Sequence, residues 1–405
     1  MLIARETLRA LDHDDVLAPF RDLFSLPEGV IYLDGNSLGP LPRATPGRLA
    51  EVMAQEWGEG LIRSWDEAGW LGLPARLGDK IARLLGAPAA TVIVADSTSV
   101  NLFKLLAVAL GMRPRRSVIL TETGNFPTDI YVAEGLADLL GGRAAVRLVP
   151  AAGIVEALGD DVAVLMLNHV HYRSGAMHDM AAINAAAHAA GALVLWDLAH
   201  SAGAVPVDLA GTGADLAVGC GYKFLNGGPG APAFLYVAEA LQAAARFPIT
   251  GWFGHAEPFG FHDSFRPASG IGRAVVGTPS ILAMAALEVG VDIALRAPMA
   301  AVRAKSQAQA ALLIELIAQF GVDLEVIAPH SRGSHVAFRH PDAGGIMAAL
   351  IARGIIGDYR PPDILRFGIT PLTLRYAELW DVAEAIGAVI MGTGEPSLSR
   401  GVGQR

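Results

Sequence analysis

A lone lysine, Lys223, stands among Gly221, Gly227, Gly228 and Gly230 at the end of the apolar run LAVGCGYKF, and an acid, Asp197, closes the earlier apolar run LVLWD. Glycines on both sides let backbone approach a ligand closely, and an amine so placed can form a Schiff base with a carbonyl cofactor. An acid fixed at a neighbouring strand end can hold a protonated pyridine nitrogen. An imine former and a pyridinium partner are the two polar handles that pyridoxal phosphate requires. Taken singly, the two residues read equally well as a lysine in a glycine turn and an aspartate capping a helix; together, each at the end of a predicted buried strand, they favour the cofactor.

The elements that must position this pair follow from hydrophobic periodicity. In TVIVADSTSVNLFKLLAVAL (residues 91–110) a β-branched run passes through a polar turn into a helix with Val100, Phe103, Leu106 and Leu110 on one face. Thr98 and Ser99 at that helix start suit a phosphate, because unpaired N–H groups, hydroxyls and the helix dipole all favour an anion; hydroxyls there are also ordinary caps. Strands are predicted at SVILTE (117–122), AAVRLVP (144–150), DVAVLMLNHV (161–170), ALVLWD (192–197) and APAFLYV (231–237), with helical segments between most of them. That alternation means an α/β fold with a mainly parallel sheet sandwiched by helices. Ligands of such sheets lie outside the carboxyl ends of the strands. Thr98, Phe126, Asp129, Ser174, Asp197, His200 and Lys223 all fall just after a predicted strand and should converge on one edge.

Before the sheet, residues 1–25 read as a helix broken by Pro27 and Gly29, and IYLDGNSLGPLP (31–42) is a turn-rich loop, either a plain connection or a backbone-lined substrate edge. Residues 43–60 and 74–86 read as helices joined by LIRSWDEAGW, which carries Trp65 and Trp70. After the sheet, residues 247–278 form a long irregular segment of the kind that is usually functional. Two long helices (279–295 and 298–320) lead into a smaller α+β unit: a strand in SHVAFRH, a helix at 344–353, a strand pair in IIGDYRPPDILRFGIT and a closing helix at 376–391.

At 405 residues the chain is long for one hydrophobic core, so about two domains are expected. A formal net charge of −9 argues against a nucleic-acid partner. Hydrophobic residues make up 52% and the mean hydropathy is +0.40, yet no apolar run reaches the roughly 18 residues that span a bilayer, so no membrane role is expected. The single cysteine, Cys220, excludes an internal disulfide and reads with a cytoplasmic location. Excess apolar surface on an acidic protein points to an oligomer interface.

Eight segments, YLDGNSLG, DSTSVNLFK, NFPTD, MHDM, WDLAHSAGAVPVDL, GYKFLNGGPG, GWFGH and DYRPPDILRFGITPL, run in order from Tyr32 to Leu372. In them the chain resembles the kynureninases, pyridoxal-phosphate enzymes of the aspartate-aminotransferase fold type (fold type I). The resemblance implies a large domain over 46–297 with a seven-stranded, mainly parallel sheet and a small α+β domain over 298–391 joined by residues 1–45; the tail GTGEPSLSRGVGQR (392–405) is expected from its residues to be disordered. It implies that Lys223 carries the cofactor and shuttles the Cα proton, that Asp197 pairs with the pyridine nitrogen, and that Phe126 stacks on the ring. Thr98 and Ser99, helped by Tyr222, would bind the phosphate, while Asp129, Ser174 and His200 match further cofactor contacts. Trp252 and Thr278 match positions that reach the phosphate of the other subunit, so a homodimer with shared sites is expected. Arg366 matches the residue that forks onto the substrate α-carboxylate, which lysine would do poorly. Asn36, Ser37 and Trp65 match the edge tuned for the kynurenine ring. Tyr222 is the candidate acid for Cβ. The implied reaction is hydrolysis of L-kynurenine to anthranilate and L-alanine. Gly221 and Phe224 depart from the family pattern, which usually has a larger residue and a tyrosine there.

Four rivals fit less well. A desulfurase needs a mobile thiol in a loop well after the lysine, and Cys220 precedes Lys223 within a predicted buried strand. A class-V aminotransferase does not account for DYRPPDILRFG. A non-catalytic pyridoxal-phosphate-binding regulator would carry a basic DNA-binding appendage, and a dinucleotide oxidoreductase would carry G-x-G-x-x-G where DSTSVN stands.

Overall fold

The computed structural model describes residues 2–327 and 331–392; of the tail expected to be disordered, residues 393–405 lie outside the described residues. The chain forms two compact units, one made of residues 44–172 and 177–296, the other of residues 1–43, 173–176 and 297 onward.

The larger unit is built on seven strands, β1 (Val92–Val94), β2 (Val118–Glu122), β3 (Ala145–Val149), β4 (Val162–Asn168), β5 (Leu193–Asp197), β6 (Leu216–Gly219) and β7 (Phe234–Val237). They lie in the order β1-β7-β6-β5-β4-β2-β3. Pairings are parallel except those of β7, which runs antiparallel to both β1 and β6. No helix separates β6 from β7, so the chain turns back instead of crossing over to a parallel register.

β4 and β5 are buried along their whole length, as a sheet covered on both faces demands. The pleat sorts their side chains between two cores. Leu165, Leu167, Val194 and Trp196 pack with Leu77, Ile81 and Leu287 of the helices Leu73–Leu84 and Ile281–Arg296. Val164, Met166 and Leu195 face Leu102, Leu105 and Leu136 of the helices Thr98–Met112 and Pro127–Leu139.

In the smaller unit, β8 (Glu325–Val326), β9 (His335–Arg339), β10 (Asp358–Arg360) and β11 (Ile364–Gly368) form an antiparallel sheet in the order β8-β9-β11-β10. Its core joins Phe338 and Phe367 of the sheet to Leu313, Ile346 and Leu379 of the helices Met299–Gln319, Ala343–Ile351 and Tyr376–Ile390, together with Leu8 from the helix Arg5–His13.

Two helices differ from expectation. The α-helix of residues 1–25 is confined to Arg5–His13 and followed by a 3-10 turn at Ala18–Leu23, because Pro19 cannot continue an α-helical ladder and the Asp15 carboxylate accepts the Leu17 N–H at 2.9 Å. The helix of residues 43–60 is α only over Thr45–Glu51 and winds as a π-helix over Val52–Gly60.

Candidate active site

The carboxyl ends of β4, β5 and β6 bring the polar residues of the larger unit together. Asn168 closes β4 and Asp197 closes β5, and the two are paired in register. The Asn168 amide donates to Asp129 Oδ2 at 2.9 Å and to Asp197 Oδ2 at 2.9 Å. Its carbonyl oxygen accepts the Phe126 N–H at 3.3 Å. The other Asp197 oxygen accepts the Ala199 N–H at 2.7 Å. All three polar side chains are buried.

Burial raises the pKa of Asp129 well above the carboxylate range, and the charge of Asp197 facing it raises it further. Burial also raises Asp197, with Lys223 and the Ala199 N–H pulling the other way. Two buried carboxyls that share one amide disfavour both being charged at once, and the pull of Lys223 and the Ala199 N–H favours the charge on Asp197 over Asp129.

Lys223 lies in the loop after β6. Its Nζ stands 3.2 Å from His200 Nε2, 6.0 Å from the centre of the Phe126 ring and 5.9 Å from that of Tyr222. The Phe126 ring is held edge-on by Tyr172 at 5.2 Å. Burial pushes the Tyr222 phenol far above its ordinary value, with Cys220 and Asp197 adding to the rise, so it keeps its proton. Packing behind this loop depends on missing side chains. A Cβ on Gly221 would lie 2.5 Å from the Pro232 carbonyl oxygen, and one on Gly290 only 2.0 Å from that of Leu225. The departure at Gly221 is therefore steric: the loop backbone sits against neighbours that leave no room for a larger residue.

Thr98 and Ser99 occupy the first turn of the helix Thr98–Met112, half-buried; the hydroxyl cap is Ser97, which accepts the Val100 N–H at 3.4 Å. That turn carries no acid, which leaves its dipole available to an anion. Trp65 and Thr278 line an apolar cavity of about 460 Å³ with Trp57, Trp70 and Ile281. Trp65 meets Trp70 edge-on at 5.7 Å. Trp252 is 38% exposed and packs edge-on against Phe253 at 4.9 Å.

Ser174, Asn36, Ser37 and Arg366 belong to the smaller unit. There Arg366, on β11, is buried and its guanidinium donates to Asp358 and, at 2.9 Å, to Ser37 Oγ. Asn36 is fully buried, and a Cβ on Gly368 would lie 2.1 Å from its amide oxygen. Ser174 Oγ accepts the Ala176 N–H at 3.2 Å. Burial lifts the nearby Asp34 carboxyl to about 6.

Sequence reasoning missed Asn168 and Tyr172. The available signal for Asn168 was a single polar residue ending the apolar run VAVLMLN.

Pyridoxal phosphate fits these residues. The amine of Lys223 faces two aromatic rings and an imidazole, a buried aspartate is held by Asn168 and the Ala199 N–H on the same strand edge, and a helix start with no acid in its first turn offers hydroxyls and N–H groups.

The same fold occurs in a cysteine desulfurase from Thermococcus onnurineus NA1 (TM-score 0.79, 17% identity, 92% of this chain and 98% of that one). It occurs also in one from Escherichia coli (TM-score 0.78, 20% identity, 93% and 98%). Fold and cofactor set make this chain a pyridoxal-phosphate enzyme of fold type I. Its single cysteine, Cys220, is buried, and burial pushes that thiol up. Residues 302–386 match the family model of the kynureninase C-terminal domain. Along nearly its whole length the chain is 49% identical to the kynureninase of Pseudomonas fluorescens (96% of each chain) and 50% identical to that of Burkholderia pseudomallei strain 1106a (95% of each). The chain belongs to the kynureninase family.

Proposed function

We propose that this enzyme hydrolyses L-kynurenine to anthranilate and L-alanine, and 3-hydroxykynurenine to 3-hydroxyanthranilate and L-alanine, as a step of tryptophan catabolism. The reading is carried by one observation: Lys223 shares a strand edge with the buried Asp129–Asn168–Asp197 set, in a chain about half identical to kynureninases. When bound, pyridoxal phosphate would supply an electron sink for the pairs left as the Cα–H and Cβ–Cγ bonds break; water adds to the aryl ketone carbon Cγ, which leaves as the carboxylate of anthranilate while the Cβ–Cγ pair stays on Cβ.

The chain's own residues do the rest. Lys223 would hold the cofactor through its amine and, once the substrate is bound, would take and return the proton at the substrate Cα. Asp197 keeps the pyridine nitrogen protonated, and Asn168 and the Ala199 N–H hold that carboxylate in place. Phe126 covers one ring face, His200, Asp129 and Ser174 orient the cofactor, and Thr98 and Ser99 take its phosphate. Tyr222, kept protonated by burial, delivers the proton to Cβ after anthranilate leaves. Arg366, presented by Asp358 and Ser37, binds the α-carboxylate, while Trp65, Asn36 and Ser37 shape the aryl edge.

The working form is a homodimer in which Trp252 and Thr278 reach the partner's phosphate. Exposed Trp252, Phe259, Phe261 and Phe265 in the segment 247–278 support this, because a second copy would cover such apolar surface. Among the described residues no helix is long and apolar enough to cross a membrane, in keeping with a cytoplasmic enzyme.

Protein loaded with pyridoxal phosphate should release fluorescent anthranilate from L-kynurenine, and Lys223→Ala should abolish that release. Full turnover by Lys223→Ala would sink the assignment of the lysine. No product from either kynurenine or 3-hydroxykynurenine would sink the function.

A further inference from the structure

Lys104 is 0% exposed, although lysines almost never bury completely without a specific partner. It sits two turns into the helix Thr98–Met112, and helical side chains lean toward the N-terminus. The ammonium thereby reaches back past the start of its own helix to the Asp96 carboxylate and donates also to the Ala274 carbonyl at 2.7 Å. Asp96 directly precedes the Ser97 cap and has a φ of 48°, in the left-handed region that few non-glycine residues other than Asn and Asp adopt. Three further bonds pin the same turn: the Asn101 amide donates to the Ala95 carbonyl at 2.8 Å, the Ala95 N–H to the Ala233 carbonyl at 2.9 Å, and the Ala233 N–H to the Asp96 carbonyl at 2.9 Å.

We infer that Lys104 is a positioning residue for the cofactor phosphate. Through Asp96 it fixes the strand-to-helix turn, and so the direction in which the Thr98 and Ser99 hydroxyls and the first helical N–H groups point. Its second bond fastens that turn to the segment Gly270–Ala274, which leads on to Thr278. This inference rests on the reading that Thr98 and Ser99 hold the phosphate. Lys104 is enclosed while the Asp96 side chain is 30% exposed; drawing a lysine out of water into such a pair adds little net stability over an apolar side chain, so holding a geometry is the better reason for its presence.

The test compares binding of pyridoxal 5′-phosphate with that of pyridoxal, which lacks the phosphate, to apo protein, followed by visible absorbance. Lys104→Met should weaken the phosphorylated ligand about tenfold, about 1.4 kcal/mol, and leave pyridoxal within about twofold. Lys104→Arg should recover part of the loss. A merely structural role would weaken both ligands alike, and that result, or an unchanged affinity for pyridoxal 5′-phosphate, overturns the inference. Should Lys104→Met fail to fold, Asp96→Asn removes the other half of the pair, and its selectivity for the phosphorylated ligand decides in the same way. Thr98→Ala is measured alongside. If it leaves pyridoxal 5′-phosphate affinity unchanged, the phosphate reading itself falls and takes this inference with it. If it weakens that ligand while Lys104→Met does not, only the role of Lys104 falls.

Discussion

Tyr222 illustrates how one residue acquires its chemistry from its surroundings. A phenol in water is a poor acid at neutral pH, and burial beside Cys220 and Asp197 makes this one poorer still. Such a group holds its proton until a strongly basic atom appears beside it, and in the proposed reaction that atom is the electron-rich Cβ left when anthranilate departs. Tyr222→Phe keeps the ring that stands 5.9 Å from Lys223 and removes only the hydroxyl, and with it the proton to be donated. It should lower kcat by roughly 10²–10⁴-fold while leaving the cofactor absorbance in place; a kcat within about twofold of the parent would assign the proton to another donor. The residue types of Lys223, Asp197 and Tyr222 were legible in the sequence because each has an intrinsic chemistry. Asn168 was not, because an amide gains a role only from the partners on either side of it, and Asp129 and Asp197 come from distant positions in the chain.

At the scale of elements, the lysine loop depends on the helix Ile281–Arg296, a segment with no chemistry of its own. Gly290 lets that helix press directly on the backbone at Leu225, and Leu287 of the same helix lies where Cβ atoms on Gly221 and Gly227 would go. Overpacking a contact of this kind forces backbone shifts that cost about 1–3 kcal/mol. Gly290→Ala should therefore lower the thermal midpoint and, by displacing the loop, lower the affinity for pyridoxal 5′-phosphate. A variant that loses neither would mean the contact relaxes without moving Lys223. Strand and helix identities were readable from apolar periodicity, as the uninterrupted burial of β4 and β5 illustrates. The shortened helix at Arg5–His13 and the π-helical Val52–Gly60 were not, since caps and backbone winding depend on local bonds that periodicity does not register.

For the whole molecule, the proposed dimer makes a prediction no single chain can meet. If Trp252 and Thr278 serve the partner's phosphate, inactive Lys223→Ala mixed with an inactive Trp252→Ala variant should regain up to about a quarter of the parent activity, as random pairing leaves some mixed dimers with one intact site. No recovery after subunit exchange, followed by activity and by native mass, would remove Trp252 from the shared site. The sequence by itself determined the cofactor class and the alternating architecture, because an amine and an acid at strand ends and the period of apolar residues are local properties of the chain. Its ordered motifs also carried the resemblance to the kynureninases. The tertiary structure decided which residues stand behind the candidate ones: Asn168 between two carboxyls, Gly290 against the lysine loop, Lys104 against the turn before Thr98. Each of these works only through a neighbour remote in sequence, and hydrogen bonding and close packing act on distances in space that spacing along the chain does not encode.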